Sequence, residues 1–361
     1  MIDYRRSIVN ITNSLYKHYG LSCYHESLND LDRVLSKKPR HVFLMVLDGL
    51  GEAIITKHLP ETAFLRRHQT MTLSSVFPPT TVAATTSILT GKTPYEHGFL
   101  GWFQYFKALD SYYTVFLKKD YYTHAEVPKV LHSRFQFTDF TVRIKQAQPS
   151  LYTKTLFHKK VSADGFTTFE EGLEWCLKIA KLEQQTLTYF YHIEPDNTMH
   201  HVGPSDRASA RLVQALNAQI EAFYAKLPKD SLVIITADHG MVDVEPLAIL
   251  DQPIMATLKA KPSNEPRAVV FHVEDHKAFK DCFNKDYSDD FDLYTTQAFL
   301  DKGFLGAGKK HQNVTDCLGD YVAIAKTDKY FSLDKDAGFK GHHAGKRAEE
   351  LEVPLILLMK E

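Results

Sequence analysis

Residues 41–49 read HVFLMVLDG, an apolar run that ends in an acidic residue and a glycine. Two later segments repeat this arrangement, since TLTYFYHI at 186–193 leads to Glu-Pro-Asp and SLVIITA at 231–237 leads to Asp-His-Gly. Short runs rich in apolar and β-branched residues are typical of buried parallel strands. The carboxyl ends of such strands meet at one edge of a sheet, where ligands commonly bind. We therefore expect the acidic residues that follow the three runs to share a site.

Helical patterns separate these strand candidates. Residues 81–89 follow a Pro-Pro pair, residues 170–183 carry apolar side chains at helical spacing, and residues 205–227 form a long amphipathic stretch. The apolar run at 353–359 is a candidate closing strand. Alternation of strands and helices predicts an α/β fold with a doubly wound, mostly parallel sheet.

Two segments depart from this alternation. The first, about residues 101–164, is rich in aromatic residues and begins with Trp102–Phe106. We expect it to cover the site. The second, residues 252–335, carries short strand patterns of its own and predicts an inserted smaller α/β lobe. The main core would then comprise residues 1–251 and 336–361.

The composition is that of an ordinary globular protein. The chain has 361 residues, of which 44% are hydrophobic, and this content supports an extensive core. Lys and Arg total 43 against 44 Asp and Glu, so the net charge of -1 argues against general affinity for nucleic acid or anionic membranes. No run approaches the roughly 20 apolar residues that span a bilayer. A charged small-molecule ligand would be captured by a local site.

The cysteines indicate the redox compartment. They are widely separated and form no close pair, at Cys23, Cys176, Cys282 and Cys317. This spacing fits reduced thiols better than a disulfide framework or a thiolate metal site. Residues 1–20 mix charged and apolar side chains and lack the apolar run of a signal peptide. We therefore expect a cytoplasmic protein.

Carboxylates and imidazoles occur together after the second and third runs. Asp196 and His200 are four residues apart, a spacing that puts both on one side of a helical turn. Asp238 and His239 follow the third run at adjacent positions, and Asp48 has the matching place after the first. Each feature alone also fits a helix cap, a surface histidine or a turn. Their recurrence after three strands favours a site for Zn²⁺ or a similar metal.

A candidate nucleophile lies in the segment Pro78-Pro79-Thr80-Thr81, which leads into a predicted helix start. A hydroxyl there lies near helical N–H groups that favour an anion such as phosphate. The commoner use of such a threonine is to cap the helix. Proximity to the metal ligands decides between the two uses.

Five motifs in this order resemble the alkaline phosphatase superfamily and, within it, the type I nucleotide pyrophosphatase/phosphodiesterase branch. They are LDGLG at 47–51, FPPTTVAATTSILTGKTPYEHG at 77–98, EPDNTMHHVGP at 194–204, ADHGM at 237–241 and GHHAG at 341–345. The resemblance implies the mostly parallel sheet of the alkaline phosphatase type. It also implies two divalent metal ions, for which three histidines and three aspartates favour Zn²⁺, with Mn²⁺ as the alternative.

The resemblance assigns the site residues. In that branch the nucleophilic threonine lies nine residues before a Thr-Gly pair, and counting back from Thr90 gives Thr81 rather than Thr80. It implies that one metal is surrounded by Asp48, Asp238, His239 and Thr81, and that the other is held by Asp196, His200 and His343. Three further histidines of these motifs are left without a ligand role, namely His97, His201 and His342.

The sequence departs from the branch at Ala84, where many members carry an Asn that holds a phosphate oxygen. Oxygen stabilisation would then fall to the Thr81 N–H, the metals or another side chain. The Cys-x-Pro-x-Arg signature of sulfatases is absent from the sequence, which argues against sulfate esters.

The resulting hypothesis is hydrolysis of a phosphodiester or pyrophosphate bond, with a nucleotide as the expected substrate and a phosphothreonine intermediate. Residues 102–106 are candidates for stacking a nucleobase, with ordinary packing as the alternative. A phosphomonoesterase or phosphonate hydrolase would use the same groups. A phosphate-transferring mutase and a non-catalytic metal-stabilised binding module are weaker alternatives.

Overall fold

The computed structural model describes residues 2–333 and 338–361. Its strands, in chain order, are β1 (His41–Leu47), β2 (Gln69–Ser74), β3 (Phe103–Phe106), β4 (Ser111–Thr114), β5 (Lys119–Asp120), β6 (Tyr152–Phe157), β7 (Thr186–His192), β8 (Ser231–Thr236), β9 (Val242–Asp243), β10 (Glu245–Ala248), β11 (Leu258–Glu265), β12 (Ala268–Val273), β13 (Phe291–Thr295), β14 (Tyr321–Ala325), β15 (Lys329–Ser332), β16 (Gly341–His342) and β17 (Glu352–Lys360).

The α-helices are α1 (Ile8–His18), α2 (Asn29–Leu35), α3 (Glu52–His58), α4 (Phe64–Arg67), α5 (Thr81–Thr90), α6 (Pro94–His97), α7 (Lys129–Ser133), α8 (Phe140–Ala147), α9 (Phe169–Ile179), α10 (Asp196–Val202), α11 (Arg207–Lys226), α12 (His276–Asp286), α13 (Thr296–Asp301), α14 (Gln312–Cys317) and α15 (Ala348–Leu351), with a short 3₁₀ helix at Pro253–Thr257.

The central sheet has the strand order β2-β17-β8-β1-β7-β6 over the described residues. Strands β8, β1, β7 and β6 run parallel, whereas β17 is antiparallel to both of its neighbours. Strands β1, β7 and β8 are buried along their whole length, as expected for strands covered on both faces. The predicted α/β fold with a mostly parallel sheet is confirmed.

Helices cover both faces of this sheet. Tyr189 and Phe190 are adjacent on β7 and therefore point to opposite faces. Tyr189 meets Phe140 of α8 edge to face, with ring centroids 5.8 Å apart. Phe190 meets Phe169 of α9 at 5.7 Å. The sheet is thus sandwiched between helical layers, which is the doubly wound arrangement.

The strand register fixes where the site lies. His41 at the start of β1 pairs with Thr186 of β7 and with Ser231 of β8. The three runs therefore begin level and end level. Asp48 follows the last residue of β1, and Asp238 lies two residues past the end of β8. Both carboxylates therefore emerge at the same edge of the sheet.

A second sheet has the order β13-β14-β12-β11-β3-β4-β5 among the described residues, and its paired strands run antiparallel. Strand β11 joins β3 through the pair Asn264 and Phe103. One face buries an apolar cluster that includes Phe271, Phe279 and Phe331. The expected inserted lobe and the beginning of the aromatic segment therefore share one sheet.

The aromatic segment of about residues 101–164 is divided between the two sheets rather than forming a separate cover. Its first part supplies β3, β4 and β5 to the second sheet, whereas β6 is an edge strand of the central sheet. Strand β6 reads YTKTLF and is largely half-buried, so its pattern lacked the apolar run that identified its neighbours. The division at 251/252 stays a prediction, and the boundary at 335/336 lies outside the described residues.

Within residues 2–333 and 338–361, none of the helices combines the length and the apolar character that crossing a bilayer requires.

Candidate active site

The structure brings the seven predicted site residues together at the carboxyl edge of the central sheet. Two are backbone neighbours, since the N–H of Asp196 donates to the carbonyl of Asp48 at 3.0 Å. Gly49 makes this approach possible: its φ is +73°, and a Cβ there would lie 2.9 Å from the Cβ of Asp196. The Asp-Gly pair after β1 therefore forms a turn, and the glycine also leaves room for the helix that carries Asp196.

Asp48, Asp238 and His239, which we call the strand cluster, follow β1 and β8. One ligand atom from each lies within 4.8 Å of the others. His239 Nε2 is 3.3 Å from Asp48 Oδ1 and 3.6 Å from Asp238 Oδ2. The side chains of Asp238 and His239 are fully buried. This is the set that the resemblance assigned to one metal.

Asp196, His200 and His343, which we call the loop cluster, come from α10 and from the residue after β16. His200 Nε2 lies 3.3 Å from Asp196 Oδ2, and His343 Nε2 lies 3.8 Å from Asp196 Oδ1. His239 stacks on His343 with ring centroids 3.8 Å apart and also forms a tight group with Asp196 and His343. The two clusters are therefore contiguous, with His239 between them.

The three histidines have a common orientation. Each ring places Nδ1 against a backbone carbonyl, with His200 on Gly341 at 2.8 Å, His239 on Gly240 at 3.0 Å and His343 on Pro79 at 3.1 Å. A carbonyl can only accept, so Nδ1 carries the proton and Nε2 presents a lone pair to the site. This arrangement is typical of histidines that bind a metal.

The carboxylates also fit cations. Within the two clusters, three buried carboxylate oxygens have no hydrogen-bond partner among the described residues: Asp48 Oδ1, Asp196 Oδ1 and Asp238 Oδ2. Each belongs to one of the two clusters. Buried carboxylate oxygens are costly without a partner. Three unpartnered oxygens beside three Nε2 lone pairs form a donor set suited to Zn²⁺ or a similar divalent cation.

Electrostatics give the same indication. Burial, and then the charges of Asp196 and Asp238, raise the pKa of Asp48 well above its usual value. Burial also raises the pKa of Asp238. Burial, together with neighbouring His239, His342 and His200, lowers the pKa of His343 far below the usual value and keeps the ring neutral. A cation would relieve the repulsion between the carboxylates.

Thr81 is the first residue of α5 and is half-buried. Its hydroxyl lies 3.2 Å from Nε2 of His239, the ring shared by both clusters. Thr80 instead turns its hydroxyl towards Glu265, with Oγ1 donating to Oε1 at 2.6 Å. Of the two threonines, Thr81 is therefore the one whose hydroxyl lies beside the clusters.

The histidines without a ligand role have other surroundings. His97 is buried, and its Nε2 hydrogen-bonds the hydroxyl of Ser87 at 2.9 Å. His201 is exposed. His342 is buried with its ring centroid 5.1 Å from that of His200, and its Nδ1 accepts the N–H of His343 at 2.8 Å. His342 thus helps to shape the loop that carries His343.

Sequence reasoning missed two side chains beside the site. Tyr191 on β7 donates a hydrogen bond from its hydroxyl to Asp48 Oδ2. This bond fixes the carboxylate through Oδ2 and leaves Oδ1 facing the site. The signal in the sequence was the position of Tyr191 near the end of a predicted strand, because alternate side chains at that end of the strand point towards the site. Glu265 ends β11, far from any recognised motif, and nothing in the local sequence marked it.

A buried ion pair links the second sheet to the ligand loops. Arg267 Nε donates to Glu350 Oε1 at 2.8 Å, and both side chains are fully buried. Glu350 Oε1 also accepts the N–H of Gly345 at 2.7 Å, two residues after His343. The carbonyl of Glu350 accepts the N–H of Gly240 at 2.9 Å, next to His239. Both ligand loops are therefore anchored to one residue.

The aromatic residues considered for base stacking have mostly structural roles. Phe103, Tyr105 and Phe106 are buried, and Phe103 stacks on Tyr121 at 3.7 Å. Trp102 is half-buried and meets Phe116 edge to face at 5.7 Å. Phe116 is 49% exposed, so the rings of Trp102 and Phe116 are both accessible.

Fold and site place the chain among the phosphoester hydrolases of the alkaline phosphatase superfamily. A model of the family described as type I phosphodiesterase/nucleotide pyrophosphatase matches residues 42–345, and the chain belongs to this family. The match spans all five motifs and each predicted site residue. The superfamily resemblance is thus confirmed, and the chain is an enzyme that acts on phosphoester bonds.

Solved structures share the fold. Murine ectonucleotide pyrophosphatase/phosphodiesterase 5, an inactive variant in complex with AMP, superimposes with a TM-score of 0.63 and 16% identity over 87% of each chain. The human protein of the same name gives a TM-score of 0.64 and 14% identity over 88% of this chain and 87% of that one. No curated protein sequence matches the chain.

Proposed function

We propose that the chain hydrolyses phosphodiester or pyrophosphate bonds of nucleotides, with Thr81 as nucleophile and two divalent cations in the strand and loop clusters. The observation that carries this proposal is the convergence of three unpartnered carboxylate oxygens and three Nε2 lone pairs around the Thr81 hydroxyl. Family membership supports the reaction class.

The residues that would hold the cations follow from the clusters. Asp48, Asp238 and His239, with the hydroxyl of Thr81, would hold one. Asp196, His200 and His343 would hold the other. Zn²⁺ suits this mixture of imidazole and carboxylate best, with Mn²⁺ as the alternative. When bound, the cations lower the pKa of a hydroxyl and neutralise charge on phosphoryl oxygens.

The protein groups then define a two-step reaction. Thr81 Oγ1 attacks phosphorus, the new O–P bond forms, and the bond to the leaving oxygen breaks, which gives a phosphothreonine and an alcohol or phosphate. Water then attacks the same phosphorus and releases Thr81. Thr81 is half-buried, and the contact of 3.2 Å between its hydroxyl and His239 Nε2 holds the attacking oxygen where the two clusters meet. Thr81 is thus consumed and regenerated in each turnover.

Ala84 has no polar group to hold a phosphate oxygen. The first-turn N–H groups of α5 are the remaining donors on the nucleophile's own helix, and a helix N-terminus favours an anion. We therefore assign the oxygen-binding role of the missing Asn to the backbone of this turn.

The nucleotide assignment draws on two observations. A structural neighbour of the same fold was solved with AMP. Trp102 and Phe116 offer accessible rings that meet edge to face, and the backbone N–H of Trp102 donates to Glu265 Oε1 at 2.6 Å, the same oxygen that the Thr80 hydroxyl bonds. An aromatic face of this kind stacks a base.

The test compares metal-loaded enzyme on bis-p-nitrophenyl phosphate and on p-nitrophenyl phosphate, followed by dinucleotide and nucleotide-pyrophosphate substrates. We expect the diester and pyrophosphate substrates to have the higher kcat/KM. Preference for the monoester would overturn the substrate class, and parallel metal analysis would show whether two cations are bound.

The second candidate is a phosphomonoesterase or phosphonate hydrolase with the same cations and nucleophile. The observation in its favour is Ala84, because the branch residue that holds a diester oxygen is missing. Phosphonoacetate and p-nitrophenyl phosphate, assayed beside the diesters, separate these activities.

A further inference from the structure

Glu265 is a buried carboxylate that the proposed mechanism leaves without a role. It is the last residue of β11 and is 2% exposed. Its Oε1 accepts two hydrogen bonds of 2.6 Å, one from the Thr80 hydroxyl and one from the backbone N–H of Trp102. Burial raises its pKa to about 7. An interior carboxylate is costly, so the contacts it makes call for an explanation.

Thr80 is the N-cap residue of α5, with φ -137° and ψ 148°, yet its side chain makes no capping hydrogen bond. Other threonines of this chain do cap their helices. Thr168 accepts from the N–H of Glu171, and Thr295 accepts from the N–H of Ala298. An N-cap hydroxyl usually satisfies a first-turn N–H group in this way. At Thr80 the hydroxyl is turned towards Glu265 instead.

Packing fixes Glu265 in its place. Its neighbour Asn264 pairs with Phe103 across β11 and β3. Gly101 lies so close that a Cβ there would be 2.3 Å from Asn264 Oδ1. Glu265 itself pairs with Ala268 of β12 and is 2% exposed, so the second sheet sets the direction of its contact with Thr80.

We propose that Glu265 is a positioning residue that holds the Thr80 hydroxyl away from the N-terminus of α5 and so keeps the first-turn N–H groups free for a phosphoryl oxygen. This inference rests on the proposed function, since it concerns the same site. It explains how the chain binds that oxygen with Ala84 in place of an amide side chain. It also gives the second sheet a direct influence on the nucleophile.

The test is a double-mutant cycle on metal-loaded protein with Glu265→Ala, Thr80→Val and the double variant. Glu265→Ala releases the hydroxyl, which then caps α5 and competes with phosphate. We expect kcat/KM to fall by about tenfold or more, by analogy with the loss of an oxyanion donor. In the double variant no hydroxyl is present, so we expect most of that loss to be recovered relative to Glu265→Ala.

Glu265→Gln is the matched control, because its amide oxygen accepts the same two hydrogen bonds without a charge. Its kcat/KM is expected to stay within about threefold of wild type. A loss as large as that of Glu265→Ala would assign the effect to charge and overturn the positioning role. Losses that multiply in the double variant would also overturn it, because independent damage does not recover.

Binding of inorganic phosphate, measured by calorimetry on the same metal-loaded variants, separates this inference from the proposed function. The inference expects affinity to weaken in Glu265→Ala and to recover in the double variant. If phosphate affinity changes in this way but no phosphoester is hydrolysed, the inference holds and the proposed function is wrong. If the wild type hydrolyses phosphoesters but Glu265→Ala binds phosphate with unchanged affinity, the proposed function holds and the inference is wrong. Melting temperature and metal content show that each variant is folded and loaded.

Discussion

The strand cluster and the loop cluster differ in how they are built. Asp48, Asp238 and His239 follow strands of the central sheet, and their side chains are at most 6% exposed. Asp196 and His200 lie on a seven-residue helix, with side-chain exposures of 11% and 16%. The strand cluster is therefore held by the core of the fold, whereas two residues of the loop cluster depend on a short and more accessible helix. The third, His343, is 6% exposed.

The pKa shifts of the aspartates also differ between the two clusters. Burial and neighbouring carboxylates raise the pKa values of Asp48 and Asp238. For Asp196, burial opposes ionisation, but the charge and hydrogen bond of His200 lower its pKa below the usual value. Within the loop cluster, His200 thus offsets part of the negative charge of Asp196. The strand cluster has one imidazole, His239, at 3.3 Å from Asp48 and 3.6 Å from Asp238, and the pKa values of both carboxylates remain raised beside it. This cluster is therefore expected to bind a cation more tightly.

The largest expected effect comes from Thr81, which serves both clusters. Thr81→Ala removes the attacking oxygen but not the cations' other ligands, so we expect kcat to fall by about 10³-fold or more with both cations retained. Steady-state kinetics with metal analysis checks this. Thr86→Ala on the same helix is the matched control and should keep most of its activity. A Thr81→Ala enzyme with over about a tenth of wild-type kcat would exclude this nucleophile.

The next largest effects test the comparison directly. Asp238→Asn removes a ligand from the strand cluster, and His200→Ala removes one from the loop cluster. We expect Asp238→Asn to lose a cation and about 10²-fold or more in kcat, and His200→Ala to lose less and to be partly restored by excess Zn²⁺. Stoichiometry during a chelator titration measures both. Equal losses, or release of the strand-cluster cation first, would contradict the proposed difference.

A smaller effect is expected at Tyr191, whose hydroxyl bonds Asp48. Tyr191→Phe leaves that carboxylate oxygen without its donor and should weaken cation binding by about 10-fold, with kcat restored at high metal concentration. Competition with a metal-binding dye gives the affinity. Tyr189→Phe on the same strand is the control, because the Tyr189 hydroxyl has no hydrogen-bond partner among the described residues.

The smallest effect concerns the second sheet and pH. In metal-free protein the pKa of Glu265 is raised to about 7 by burial, so the folded state binds this proton more tightly than the unfolded state. Stability is then lost as pH rises from the usual carboxyl range through about 7. Melting curves of wild type and Glu265→Gln between pH 5 and pH 8 should diverge, with wild type falling faster. Parallel curves would refute the assignment.

Much of the fold and the candidate site follows from sequence because the ligands sit at strand ends. The runs at 41–47, 186–193 and 231–237 were apolar throughout, and their register alone aligns the residues that follow. His200 was found because helical spacing pairs it with Asp196. His343 came only from the family motif, since no periodicity connects GHHAG to the central strands.

The remainder depends on contacts between distant segments. Strand β3 pairs with β11 through positions about 160 residues apart, and no local pattern in the sequence predicts such pairing. Edge strand β6 alternates polar and apolar residues only weakly, so its sequence does not predict a strand of the central sheet. Glu265 and Arg267 act through partners in other segments, which a single sequence does not reveal. The identity of the metals and a cytoplasmic location stay predictions.

The bond between Arg267 and Glu350 has a consequence for attempts to shorten this enzyme. Deleting the second sheet would remove the guanidinium and leave a bare carboxylate inside the protein, a change that typically costs about 3–5 kcal/mol. The same carboxylate tethers the glycine beside His343. A truncated hydrolase would therefore require Glu350 to be redesigned together with the cut.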